Sequence, residues 1–133
     1  MAFTTKEAQK CAEGLSELIV ELHAAYDVVI SQSYSVEISQ NFLSIAQLNL
    51  KQKQISIANE YNGREQELGK NAESRTFKIA ELTADEQKAV DEATSEHRLA
   101  TNKLNIDDLK VESLKRQADL LRSLSYLIAQ QSA

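Results

Sequence analysis

The chain has 133 residues, a net charge of −5, three glycines, one cysteine and neither proline nor tryptophan. The length is that of a single domain, and the acidic balance excludes nucleic acid as a partner, because phosphate binding needs a clustered basic face. With so little proline and glycine there are few tight turns, so the elements are few and long, and the abundant Ala, Leu, Glu, Gln and Lys make them helices.

Thr4-Thr5-Lys6-Glu7 has the form of a capping box, with Thr at the cap and Glu three residues on, and predicts a helix start. Ala8, Cys11, Leu15, Leu18, Leu22, Ala25 and Val29 then recur at alternating three- and four-residue spacing, the signature of a heptad seam. A second stripe through Ala12, Ile19 and Tyr26 predicts cover on more than one side. Cys11 has no second cysteine to pair with and reads as a small core hydrophobe; an intermolecular or redox role is the alternative. The first residues, MAFTTKEAQKCAEG, carry no basic stretch and apolar run of a secretory signal. The expected compartment is the cytoplasm, with export by a system that reads no cleavable signal left open.

Residues 28–50, VVISQSYSVEISQNFLSIAQLNL, hold one charged side chain, Glu37, in a chain that is 26 % charged. Ten of those residues are Ser, Gln or Asn, too polar for a lipid span. A segment so poor in charge is expected to be covered by protein, much of it from other copies of the chain. Two local readings compete. Ile30, Tyr34, Val36 and Ile38 fall on even positions with Ser or Glu between them, a strand pattern. A helical reading runs through Tyr34, Ile38, Phe42, Ile45 or Ala46, and Asn49. No glycine or proline falls between residues 15 and 62 and the flanks are helical, so helix is preferred.

Asn62-Gly63 is a helix-stop signal. A reversal there, or near Gly69-Lys70-Asn71, sets two long halves side by side. The halves differ: residues 1–58 contain 10 charged side chains and residues 59–133 contain 25. Thr83-Ala84-Asp85-Glu86 repeats the capping-box form and predicts a boundary near 83. Val90, Ala93, His97, Ala100 and Leu104 mark a thin seam. Val111, Leu114, Ala118, Leu121 and Ile128 mark a stronger one, joined by Leu120, Leu124 and Leu127. The expected fold is all-α: one helical domain over 1–133, with a low-charge half (1–61) and a highly charged half (62–133). Two or three long helices form an extended antiparallel hairpin or coiled coil that assembles laterally with other copies. Leu15, Leu18, Leu22, Tyr26, Tyr34, Ile38, Phe42 and Ile45 are the candidate self-assembly residues.

The sequence offers no nucleotide loop, metal-spaced Cys/His set or nucleophile elbow, so no catalytic, cofactor or metal site is expected and the chain reads as non-enzymatic. His23 and His97 read as packed or half-exposed side chains. Glu13, Glu17 and Glu21 form a ladder one turn apart, which is mildly destabilising at neutral pH. Packed against neighbouring copies, such a ladder would respond to mild acid, with His23 and His97 charging in the same window.

Three short stretches, DVVISQSYSV from Asp27, SQNFLSIAQLN from Ser39, and Gln52-Lys53-Gln54, resemble the killing-trait family, the small subunits of R-bodies. The family pattern is an Asp-x-Val-Thr-Gln start, an Ala/Leu-rich core, an Asn and a Gln run, and the match spans residues 27–54. The long charged second half and lower Ala and Gly content depart from it. The resemblance implies a subunit of a cytoplasmic ribbon that extends on acidification and ruptures host membranes. The expected function is therefore a self-assembling structural subunit, a homo-oligomer or polymer with at most indirect membrane contact. The alternative is a helical adaptor or chaperone of a bacterial secretion apparatus.

Overall fold

The computed structural model describes residues 4–132. The fold is all-α, with two long helices packed together as a hairpin and no strand among the described residues. Helix α1 spans Thr5–Glu60, a short 3-10 turn spans Glu65–Glu67, α2 spans Ala72–Leu82 and α3 spans Ala84–Ser132.

Each boundary has a local cause. At the start of α1 the Thr4 hydroxyl accepts from the Glu7 amide (3.1 Å) while the Glu7 carboxylate accepts from the Thr4 amide (2.9 Å), the reciprocal box that satisfies two orphan donors. Nothing then interrupts α1 until Gly63, whose φ of 78° lies in the left-handed region open to glycine. Arg64 closes this end: its side chain donates to the Glu60 carbonyl (2.7 Å) and pairs with Glu67 (3.2 Å). The alternating residues from Ile30 to Ile38 lie within α1, so the strand pattern there is not used. An unbroken helical backbone on both sides decides the matter.

The boundary near Thr83 is present, but the capping box is not. The Thr83 hydroxyl donates backwards to the Ile79 carbonyl (2.8 Å), so it is occupied inside the preceding turn. The cap that forms is at Asn71, whose side chain accepts from the Ser74 amide (2.8 Å) while the Ser74 hydroxyl accepts from the Asn71 amide (3.2 Å). Gly69 is required just before it. A Cβ at that position would stand 2.5 Å from Ser74 Oγ and 2.8 Å from the Arg75 amide nitrogen.

The chain forms two compact units. The first, here the terminal unit, comprises the chain up to Tyr34 and from Asn102 onward. Its helices run antiparallel: Cys11 meets Leu121 and Ser125, while Ala25 packs with Val111 and Leu114, flanked by Leu18, Leu22 and Val29. Ala118 and Ile128 complete the buried row. The second, here the turn unit, is Ser35–Thr101 and buries Leu43, Ile57, Leu68 and Thr83. Gln54, Thr76, Ile79, Ala80, Thr83 and Gln87 line a groove within it.

Candidate self-association surface

Two helices side by side can cover each other on one face only. The buried and half-buried positions of α1 include 8, 11, 15, 18, 22, 25, 29, 32, 36, 39, 43, 46 and 50, an alternation of three and four, with Gly14 and Ile57 outside that count. Those of α3 include 86, 90, 93, 97, 100, 104, 107, 111, 114, 118, 121, 125 and 128, the same alternation, with Thr94, Thr101 and Lys115 half-buried beside it. These rows are the heptad seams. Most large apolar side chains of α1 and α3 outside them are exposed; Ile57 is buried within the turn unit.

Leu15, Leu18 and Leu22 belong to the seam and are half-buried, so packing within the chain already uses them. Tyr26 lies at the edge, with the Lys115 ammonium 5.5 Å from its ring centre, a cation–π distance. A hydrogen bond to Tyr26, reinforced by its charge and by Glu112, raises the Lys115 pKa. Tyr34, Ile38, Phe42 and Ile45 point away from the seam and are 63, 55, 60 and 55 % exposed. The stripe that packs through residues 28–50 is therefore not the row of Tyr34, Ile38, Phe42 and Ile45 but the continuation of Val29 into Gln32, Val36, Ser39, Leu43, Ala46 and Leu50. Polar Gln32 and Ser39 disguise that register. Carrying the three-four count forward from Val29 would have found it.

Each unit thus has an outward apolar face. In the terminal unit, α1 exposes Ile19, Val20, Ile30 and Tyr34, and α3 exposes Ile106, Leu109, Leu120 and Leu127. Each residue of the α3 set follows a seam position by two and so is turned away from the seam, with Ser113, Arg116 and Ser123 interrupting the row. In the turn unit, α1 exposes Ile38, Phe42, Ile45 and Leu48. Rows of large apolar side chains left uncovered are candidates for interaction surfaces.

The seams also contain polar positions. Ser39 Oγ lies 2.9 Å from His97 Nδ1, and Cys11 Sγ lies 3.1 Å from Ser125 Oγ. Asp107 Oδ2 is buried without a hydrogen-bond partner. Glu13, Glu17, Glu21 and His23 are exposed, while His97 is half-buried. Among the described residues no cluster of His, Cys, Asp and Glu has the makings of a metal site, and no helix is long and apolar enough to cross a membrane. Compared with known protein families, curated proteins and solved structures, the chain matches none.

Proposed function

We propose that this protein is a non-enzymatic structural subunit that associates with further copies of itself through the outward faces of its helices, building a ribbon or filament. The observation that carries this reading is the pair of apolar faces in the terminal unit, one on α1 and one on α3, each turned away from the seam. A subunit with a face on each of its two helices makes contacts that need not close on themselves, and such contacts propagate into open assemblies. The low charge of residues 28–50 fits a surface that neighbours cover. The resemblance of residues 27–54 to R-body subunits points to the same class of object, a cytoplasmic ribbon. The exposed Glu13, Glu17 and Glu21 would make lateral packing sensitive to acid. Negative-stain electron microscopy of the purified protein at pH 7 and pH 5 tests the reading. Ribbons or filaments are expected, with a change of form between the two conditions. Discrete small particles at both would contradict the reading and favour a helical adaptor of a secretion apparatus.

A further inference from the structure

Asn62-Gly63, the stop signal of α1, also places a nucleophile beside an electrophile. The chain has seven asparagines, and only Asn62 is followed by glycine. A glycine amide nitrogen, with no side chain to obstruct it, can reach the side-chain carbonyl carbon of the preceding Asn and close a five-membered ring. The other asparagines are less free. Asn41, Asn49 and Asn59 lie in α1 and Asn102 and Asn105 in α3, where the helix holds the amide that follows each of them. Asn71 is engaged as the cap of α2. Asn62 and Gly63 are exposed, and a Cβ built on Gly63 would meet nothing within 4 Å.

The neighbouring residues complete the arrangement. The Arg64 amide donates to the Tyr61 carbonyl (2.8 Å), which sets Asn62 and Gly63 at the centre of the turn. The Gly63 amide donates to Glu65 Oε1 (3.1 Å). The hydrogen that the nitrogen must lose is therefore already placed on a carboxylate, which is how a weak nucleophile is activated.

We infer that Asn62 is a site of self-modification, in which the Gly63 nitrogen attacks Asn62 Cγ and Glu65 takes the proton. The bond from the Gly63 nitrogen to Cγ forms and the bond from Cγ to Nδ2 breaks. The departing amide nitrogen collects the proton from Glu65 and leaves as ammonia. Water then opens the cyclic imide at either carbonyl, giving aspartate or its β-linked isomer. One amide and one water become one carboxylate and one ammonium ion, with no oxidation or reduction. The new negative charge stands just beyond the C-terminal end of α1, where the helix dipole disfavours it, beside Glu60, Glu65 and Glu67. The β-linked product also lengthens the backbone. The turn thus carries a slow, one-way change of charge and length.

Peptide mass spectrometry of the full chain, incubated for weeks at pH 7, tests the site, with fragmentation separating Asn62 from Asn59. Conversion is expected at Asn62 and not at the other six asparagines. Glu65→Gln keeps an oxygen for the Gly63 amide but removes the base. It should slow conversion by about tenfold, less than the ~100-fold of a well-matched base because the Glu65 pKa is lowered. In urea, where the turn is lost, parent and variant should convert equally. Circular dichroism verifies that the folded variant stays helical. An Asn62 that stays intact in the folded chain would overturn the inference, and so would a folded variant that converts as fast as the parent. A difference that persists in urea would assign the effect to the neighbouring sequence and overturn the role of the placed carboxylate.

Discussion

Individual side chains show where the hairpin is strained and where it is fixed. Asp107 occupies a seam position in the terminal unit with one carboxylate oxygen buried and unbonded. An unsatisfied buried acceptor costs stability, whereas an apolar side chain of similar size fits a heptad seam. Asp107→Leu is expected to raise the unfolding free energy by about 1–2 kcal/mol, read by urea denaturation; a fall would mean that the carboxylate supports the packing. Glu65 behaves oppositely. It accepts from its own amide and from the Gly63 amide, the latter at 3.1 Å, and these bonds hold its pKa below the ordinary 4.5. A depressed carboxylate pKa means that the charged form stabilises the folded turn. That contribution is present above 4.5 and is lost as the pH falls through the lowered value. The Gly63 amide resonance should therefore titrate with a midpoint below 4.5, and Glu65→Gln should remove the titration. A midpoint at or above the ordinary value would refute the bond's role.

At the level of elements, the caps and the turn decide where helices begin and end. Gly69 allows the chain to pass against the first turn of α2, where a methyl group would meet the backbone of Ser74 and Arg75 at 2.8 Å. Gly69→Ala should lower the stability of the turn unit by about 1–3 kcal/mol, seen as earlier loss of amide protection in residues 65–82 than in the terminal unit; unchanged protection would show that the backbone yields cheaply. Much of this level was legible in the chain. The Thr4–Glu7 box, the stop at Asn62-Gly63, the boundary at Thr83 and both α3 seams follow from spacing and cap chemistry, although Leu120, Leu124 and Leu127, counted with the second seam, are exposed. Two features did not. Asn71–Ser74 caps α2 without the Glu or Gln that usually marks a capping box. The packed row through residues 28–50 was concealed because its members Gln32 and Ser39 are polar while the outward row of Tyr34, Ile38, Phe42 and Ile45 is apolar. Hydrophobicity alone selects the outward row; the continuity of the heptad count selects the packed one. The candidate surface was readable as residues but not as a direction, because a sequence does not say which of two apolar stripes the chain itself will cover.

For the molecule as a whole, the decisive quantity is what folding leaves exposed. Among the described residues nine hydrophobic side chains are buried and twenty large ones are exposed. Two antiparallel helices can bury only one stripe each, and no described side chain is fully enclosed. Association with further copies would cover the remaining apolar area, which is the main favourable term in assembly. The most direct measurement is sedimentation velocity of the unmodified protein at neutral pH over a range of concentrations. The expected result is material heavier than the 14.9 kDa chain, growing in size with concentration. A single species of 14.9 kDa throughout would contradict self-association as the role of these faces.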